Sequence, residues 1–354
     1  MNHFGERLQQ ARRMRRLSQR DLAAAVGVSF QAISKYETGQ DMPGSAILLR
    51  LAQALAVKPD FFFRTQVVNI QVAPSYRKKA SLGVKECDHL LEYAREWMER
   101  YLEVEEIAAT HQQIPPVNAD LPTYDVATID EVENAANELR ERWDIGHDAI
   151  ENLTELLEDK GIKVGVFEGP EGFDAMTLIA NNSPVIVGNA AVPGDRLRFT
   201  FAHELGHRVL HPVKEMDIEA TFHRFAGAFL VPEKMARYEL GSVRIRLNFE
   251  ELLLLKRKYR MSMAAWIYRA KDLHILSEHG ARRMFQDLSR YGYRKIEPGE
   301  ISTELPTRME RLVYMALAEQ LISRTKAAEL LRKSPLQMFT SEQDNDGTSA
   351  MLYH

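Results

Sequence analysis

Apolar residues recur at helical spacing through the first part of the chain, residues 1–66. Leu8, Ala11 and Met14 are three residues apart and therefore share one face of a helix. Residues that can cap or break helices divide this part of the chain at Ser18, Gly27, Ser29, Pro43 and Gly44. The pattern predicts a domain of five short helices, of which the last is a turn near residues 59–64.

The connecting region, residues 67–128, has a different pattern. The stretch 65–72 is predicted to form a strand, and 83–109 is predicted to form one long amphipathic helix. Residues 111–128 contain three prolines and no apolar period, so they are predicted to be a surface linker. A long helix in this position either forms a dimer contact or packs on its own domain, and we expect a homodimer.

The remaining chain is predicted to hold one domain at 129–300, a helical segment at 301–340 and a polar, disordered tail at 341–354. Two helical patterns precede three strand-like segments, and Asn181 and Asn182 fit a tight hairpin turn between the last two. More helices follow. The predicted fold class is therefore mainly α with a small β-sheet (α+β).

Candidate chemistry lies in the predicted helix after the third strand, where the sequence reads FAHELGHRVLH. His203 and His207 are four residues apart and point from one helix face, so their ring nitrogens can bind the same zinc ion. Glu204 can then act as general base on a water molecule whose pKa the metal lowers. Gly206 costs a helix about 1 kcal/mol relative to alanine, so a close approach by a metal, a substrate or a neighbouring element is expected there.

A third metal ligand is expected downstream, because three protein ligands leave one position for water. Glu219 and His223 share a helix face, and either could bind the metal while the other orients its neighbour. We favour Glu219 as the ligand and place His223 as its support or as an alternative ligand. His211 is disfavoured, because a third histidine at four-residue spacing on one helix turns away from the metal.

The composition of the chain indicates the cellular compartment and the kind of binding partner that fit this chemistry. Among 354 residues there is one cysteine, Cys87, which excludes a disulfide framework within the chain and fits a reducing cytoplasm. No run of eighteen apolar residues occurs, so no membrane segment is expected. Residues 1–64 carry a net charge of +5 in a chain whose net charge is −4, which leaves −9 for the rest. A basic N-terminal region joined to an acidic body suggests that the basic region binds a polyanion.

The N-terminal region closely resembles the helix-turn-helix repressors of the phage lambda and Cro type, the XRE family, over residues 4–64. The resemblance is carried by Gln19, Leu22, Ala23, Val26, Gly27, Ile33, Ser34, Tyr36, Glu37, Gly39 and Pro43. It implies that the third helix reads the major groove of a double-stranded DNA operator. The residues then expected to contact DNA are Gln19, Ser29, Phe30, Gln31, Ser34 and Lys35. Gln31 could pair with adenine, Phe30 could touch a thymine methyl group and Gln19 could bind a phosphate.

The body resembles the ImmA/IrrE metallopeptidase family over roughly residues 130–300. The motif helix carries this resemblance, together with Phe225, Ala226, Leu230 and Pro232 downstream. The resemblance implies a zincin-like domain with one zinc ion per chain, in which His203, His207 and Glu219 are ligands and Glu204 is the general base. His223 stands where the family often has Asn or Asp. Family members act on partner repressors.

Two functions follow from these features. The first is a DNA-binding transcriptional regulator that carries a zinc-dependent endopeptidase and cleaves itself or a partner repressor. The second is a transcription factor, of an antitoxin-like autorepressor kind, whose zinc is structural or sensory and supports no turnover.

Overall fold

The computed structural model describes residues 3–64, 68–72, 83–111, 117 and 119–334. It divides into two compact units. Unit 1 comprises the described parts of Met1–Gln71, Lys79–Pro116 and Thr307–His354, and unit 2 those of Val72–Lys78 and Val117–Pro306. Helices predominate and strands are few and short, which confirms the predicted fold class.

The helices and strands follow one another along both units. The helices are α1 (His3–Met14), α2 (Gln19–Val26), α3 (Phe30–Thr38), α4 (Ser45–Leu55), α5 (Val84–Thr110), α6 (Ile129–Arg142), α7 (Leu153–Asp159), α8 (Gly194–Val209), α9 (Ile218–Leu230), α10 (Glu233–Leu240), α11 (Phe249–Tyr259), α12 (Met263–Asp272), α13 (Glu278–Arg290), α14 (Arg308–Ala318) and α15 (Arg324–Leu331). A 3-10 helix spans Pro59–Phe63. The strands are β1 (Ile70–Val72), β2 (Tyr124–Val126), β3 (Lys163–Phe167), β4 (Ala175–Ala180), β5 (Ser183–Asn189) and β6 (Leu210–Pro212).

The first helices of unit 1 begin where serine caps were predicted. The Ser18 side chain accepts a hydrogen bond from the backbone N–H of Asp21, whose carboxylate accepts one from the Ser18 N–H in return. Ser29 caps α3 in the same way through the N–H of Ala32. Gly27 ends α2 in the left-handed conformation, at a φ of 71°, where glycine avoids the strain of a side chain. Local signals therefore determine where these helices start and stop.

The long helix α5 packs within unit 1, against α1 on one side and α14 on another. Arg7 of α1 is buried and its guanidinium lies 2.7 Å from the carboxylate of Glu99 on α5. The side chains of Val104 and Ala108 on α5 share a core with those of Leu312 and Val313 on α14. Because α5 is covered by its own unit, it gives no support to the expected dimer contact.

Unit 2 contains a small mixed sheet in which β5 pairs in parallel with β3 and antiparallel with β4. Asn181 and Asn182 form the predicted turn between β4 and β5, with φ angles of 46° and 67°. These positive angles are those of a tight hairpin turn. Below the sheet, α8 packs against β4 and β5 on one side and against α9 on the other.

Three expectations for the elements are corrected or only partly met. The predicted linker 111–128 contains a strand, β2, which pairs in parallel with β6 more than eighty residues downstream. No local pattern reveals so short a strand, because its partner is distant in sequence. The second of the two predicted helical patterns, residues 147–162, is only partly helical, because α7 begins at Leu153 after the cap provided by Asn152. Of the predicted strand 65–72, only β1 is a strand among the described residues.

The helical pair expected between residues 301 and 340 is present as α14 and α15. The basic stretch 75–80 and the predicted disordered tail lie outside the described residues. Within the described ranges, no helix combines the length and apolar character needed to cross a bilayer.

Candidate metal centre

Helix α8 brings His203, Glu204 and His207 to one place, and Gly206 allows α9 to approach it. A Cβ atom built on Gly206 would lie 3.0 Å from Cδ1 of Phe225 and 3.4 Å from Cδ1 of Phe222, both on α9. The close approach expected at this glycine is therefore that of a neighbouring helix. It brings the donor groups of α9 next to those of α8.

Nε2 of His203 lies at zinc-sharing distances from the donor atoms of two other predicted ligands. Nε2 of His203 lies 3.2 Å from Nε2 of His207 and 3.6 Å from Oε2 of Glu219. Two ligands at about 2.0–2.1 Å from a tetrahedral zinc ion are about 3.4 Å apart. The nitrogen and oxygen donors are also the ligand types that zinc accepts. Each of these two pairs therefore fits a shared zinc ion. The three-residue groups whose donor atoms all lie within 4.8 Å of one another are His203 with Glu204 and His207, and His203 with Glu219 and His223.

His223 extends this cluster on the α9 side. Its ring centroid lies 4.6 Å from that of His203, and His203, Glu219 and His223 have donor atoms within 4.8 Å of one another. Nδ1 of His223 lies 2.7 Å from the backbone carbonyl oxygen of Glu219. A carbonyl can only accept, so Nδ1 carries the proton and Nε2 is left as the potential metal-binding atom. The geometry thus suits His223 as an additional ligand as well as a support.

His211 stands apart from the cluster. It is exposed, and its Nδ1 lies 3.7 Å from Asp125 on β2. Among the described residues, it belongs to neither of the two candidate metal-binding groups, which share His203.

Glu204 is held by a residue that the sequence analysis did not find. The hydroxyl group of Thr177 on β4 donates a hydrogen bond to Oε2 of Glu204 at 2.6 Å. Both residues are buried, with exposed fractions of 3% and 7%. This bond fixes the direction of the carboxylate that is predicted to move a proton. No pattern in the sequence marks Thr177, because it lies on another element and is one of many threonines.

The centre is accessible from one side. His203 is buried, with 4% of its surface exposed, whereas the Glu219 side chain is 44% exposed and His223 is exposed. Glu204 and His203 therefore line the inner side, and the α9 residues line the outer side. Solvent therefore reaches the centre from the α9 side.

A cluster of ion pairs connects helix α9 to helices α6 and α12. Glu133 of α6 binds the guanidinium groups of Arg269 on α12 and Arg224 on α9, with Nη2 of Arg269 at 2.8 Å. Burial alone would raise the pKa of Glu133. The hydrogen bonds and charges of the two arginines outweigh that effect and lower its pKa below the ordinary value. The carboxylate is therefore held in its charged form, where it fixes the position of α9.

The predicted DNA-contacting residues lie at the start of α2, at the N-cap of α3 and along α3 in unit 1. Ser29, Phe30, Gln31 and Lys35 are exposed and Ser34 is half-buried. Gln19 is also half-buried, and its side-chain amide donates a hydrogen bond to Glu37 at 2.7 Å. The α3 side chains thus face solvent as the resemblance implies, whereas the Gln19 amide already has a partner within the protein.

Two family models match the chain where these features lie. Residues 8–62 match the model described as helix-turn-helix, and residues 158–271 match a peptidase-family model described as the IrrE N-terminal-like domain. The chain is therefore similar to a helix-turn-helix domain in its N-terminal part and to an IrrE N-terminal-like domain in its body. The second match contains His203, Glu204, His207, Glu219 and His223.

Curated relatives resemble the helix-turn-helix part. The uncharacterized HTH-type transcriptional regulator y4wC of Sinorhizobium fredii is 38% identical over 69 residues, which is 20% of this chain and 48% of that protein. An uncharacterized transcriptional regulator in the ATPase CF(0) region of Rhodospirillum rubrum is 46% identical over 61 residues, 17% of this chain and 56% of that protein. The chain therefore spans about half the length of these relatives.

A solved structure also aligns over most of the chain. The structure is that of Bacillus thuringiensis PlcR in complex with the peptide PapR7 and DNA. The alignment covers 97% of this chain and 99% of the PlcR chain, at 12% sequence identity. The TM-score is 0.20, which is too low to indicate a shared fold.

Proposed function

We propose that this protein is a transcriptional regulator whose IrrE N-terminal-like domain is a zinc-dependent endopeptidase that cleaves the chain itself or a partner repressor. The observation that carries the proposal is the position of Glu204. Its carboxylate is buried, hydrogen-bonded to Thr177 and next in sequence to a histidine whose Nε2 faces two further donors. A double-stranded DNA operator is the proposed partner of the helix-turn-helix domain, and the cytoplasm is the proposed location.

Each residue of the centre has a defined part in the proposed reaction. A bound zinc ion would be held by His203, His207 and Glu219, and would supply Lewis-acid chemistry and a water molecule of lowered pKa. Glu204 accepts a proton from the attacking water and passes it to the leaving amine. The Thr177 hydroxyl donates a hydrogen bond to Oε2 of Glu204, which fixes the orientation of the carboxylate and leaves its other oxygen for the proton transfer.

Glu204→Gln tests the catalytic part of the proposal. The full-length protein, loaded with one equivalent of Zn²⁺, is incubated alone and with a library of peptides from a digested bacterial proteome, and new termini are identified by mass spectrometry. We expect the variant to retain zinc and to lose cleavage. Glu215→Gln, a change at an exposed glutamate, is the matched control and should cleave normally. Cleavage retained in Glu204→Gln would remove Glu204 from its proposed part.

A second candidate function is supported by the position of His223. Four protein ligands close a zinc site, and closed sites are structural, whereas catalytic sites keep one position open. With His203, His207, Glu219 and His223 all binding, the centre would be structural or sensory. His223→Ala separates the two functions. An open catalytic centre keeps its zinc and its cleavage in this variant, and a closed centre loses zinc affinity while the wild-type protein yields no new termini.

A homodimer is a further part of the proposal, because operators read by helix-turn-helix domains are commonly two-fold symmetric. Its test is the molar mass of the full-length protein by light scattering, with and without operator DNA. A monomer in both conditions would exclude this part of the proposal and leave the others standing.

A further inference from the structure

An open cleft of about 400 Å³ lies in unit 1 beside the start of α2. We call it the α2 cleft. Its charged lining residues are five cations and one acid, namely Arg12, Arg13, Arg16, Arg20, Lys85 and Asp88. Lys85 belongs to the first turn of α5 and lies outside residues 8–62, which match the helix-turn-helix family. The cleft is therefore built by the helix-turn-helix domain and by the long helix together.

Three of the five cations already have acidic partners. Their ion pairs are Arg12 with Glu37 at 2.6 Å, Arg13 with Asp88 at 3.6 Å and Arg16 with Glu86 at 2.8 Å. In the part of the chain that the structure describes, neither Arg20 nor Lys85 forms an ion pair, and both are exposed. The Arg20 guanidinium lies 5.7 Å from the centroid of the Phe30 ring, which holds it at the cleft. The cleft thus presents two cations that have no acidic group within ion-pair distance among the described residues.

Lys85 acts electrostatically on α2. The pKa of Asp21, near the start of α2, is lowered first by hydrogen bonds with Ser18 and further by the positive charge of Lys85. Asp21 accepts its hydrogen bond within the capping box, so its carboxylate stays with Ser18. The Lys85 ammonium group therefore lies close enough to the first turn of α2 to act electrostatically there.

The position of the cleft identifies the negative group. Gln19 and Phe30, both expected to contact DNA, also line it. When a recognition helix lies in the major groove, the preceding helix meets the sugar-phosphate backbone. The Gln19 amide donates to Glu37, so the nearby cations are the stronger groups for a phosphate.

We propose that the α2 cleft binds a backbone phosphate of the operator through Arg20 and Lys85, so that the long helix α5 is part of the DNA-binding surface. The inference rests on the proposed binding of DNA by the helix-turn-helix domain. It adds a contact from outside that domain, which changes affinity equally for all sequences. Phosphate contacts carry no base information.

Lys85→Gln tests this inference through the salt dependence of DNA binding. The probe is a fluorescein-labelled 24-base-pair duplex of mixed sequence, titrated with the full-length protein from 50 to 200 mM salt by fluorescence anisotropy. Loss of one phosphate contact should make the slope of log K against log[salt] shallower by about 0.9, which corresponds to about eightfold weaker binding at 0.1 M salt. Arg20→Gln should give the same loss, and the double variant about twice the change in slope.

Lys214→Gln is the matched control, because Lys214 is an exposed lysine of unit 2, and its slope should equal that of the wild-type protein. Circular dichroism of each variant checks that α5 remains folded. A folded Lys85→Gln protein with the wild-type slope overturns the inference and leaves DNA binding intact. A wild-type protein without salt-sensitive DNA binding contradicts the proposed function itself.

Discussion

The two units place their functional side chains in opposite ways. In unit 1, the residues expected to contact DNA are mostly exposed and lie on α2, on α3 or at the cap of α3, and serine caps determine where these two neighbouring helices start. In unit 2, the residues of the metal centre come from α8, α9 and β4, and His203, Glu204 and Thr177 among them are buried. The position of the DNA-contacting side chains depends on local helix geometry, whereas the position of the metal-binding side chains depends on how elements distant in sequence pack together. Substitutions around the metal centre should therefore lower the free energy of unfolding. Substitutions of the DNA-contacting residues should change only the binding of DNA.

The largest expected effect is that of Glu133→Gln, which leaves the buried guanidinium group of Arg269 without its carboxylate and removes one of the two carboxylates near the half-buried Arg224. Breaking a buried ion pair from one side costs about 3–5 kcal/mol. We expect a loss of that size in the free energy of unfolding of unit 2, measured by hydrogen exchange and mass spectrometry on α6 and α9 peptides. Glu141→Gln, on the exposed side of α6, should cost almost nothing. If Glu133→Gln lowers the free energy of unfolding by less than 1 kcal/mol, the metal centre does not depend on the packing of distant elements in the way that distinguishes it from unit 1.

The same residue gives a pH dependence of known sign. The folded-state pKa of Glu133 lies below the ordinary value of 4.5. Its contribution to stability is therefore fully present above the unfolded value and is lost as pH falls through the lower, folded value. The free-energy difference between the wild-type protein and Glu133→Gln should be constant near neutral pH and shrink below pH 4.5. A difference that grows on acidification would contradict this assignment.

Thr177→Val comes next, because it removes the hydroxyl that binds Glu204 while keeping the shape of the side chain. Hydrogen bonds to charged groups contribute about 1.5–3 kcal/mol. The rate of peptide cleavage should fall between about 10- and 100-fold while zinc content, measured by mass spectrometry of the metal, stays at one per chain. Thr177→Ser restores a hydroxyl and should recover most of the rate. An unchanged rate in Thr177→Val would show that Glu204 is oriented by other contacts.

Gly206→Val probes the contact between α8 and α9. The added side chain would meet the Phe225 ring, 3.0 Å from the Cβ position, and such overpacking costs about 1–3 kcal/mol. Because Glu219 lies on α9, the displacement should also weaken zinc binding, by about 10-fold or more in a competition titration with a chelator. Gly206→Ala should show a smaller change in the same direction. Wild-type zinc affinity in Gly206→Val would mean that the helix spacing does not set the position of Glu219.

The contrast between the units also explains which features could be predicted from the sequence. His203, Glu204 and His207 lie on one helix, so their spacing alone places them together. Ser18 and Ser29 are likewise local signals. Thr177 and Glu133 could not be predicted, because each acts on the centre through contacts with elements distant in sequence. The short strand β2 was missed for the same reason.

Glu219 is an intermediate case. Its four-residue spacing from His223 indicated a shared face, and that part of the prediction needs only the geometry of a helix. Its distance of 3.6 Å from His203 depends on the packing of α9 against α8. The sequence could therefore suggest Glu219 as a ligand from a local pattern, while the distance that makes it suitable comes from the close contact at Gly206.

The smallest effect on stability is expected for the DNA-contacting residues of unit 1. Gln31 is exposed on the first turn of α3, so Gln31→Ala should change the free energy of unfolding by no more than about 0.5 kcal/mol. Its effect should fall on DNA recognition instead, because loss of a paired contact to adenine removes about 1–3 kcal/mol of discrimination at one base pair. Selection from random duplexes, followed by anisotropy titrations on the selected site and its single-base variants, measures that preference. A Gln31→Ala protein that is destabilised by more than 1 kcal/mol, or that keeps the full preference at every base pair, would show that α3 does not act as an independent surface reader.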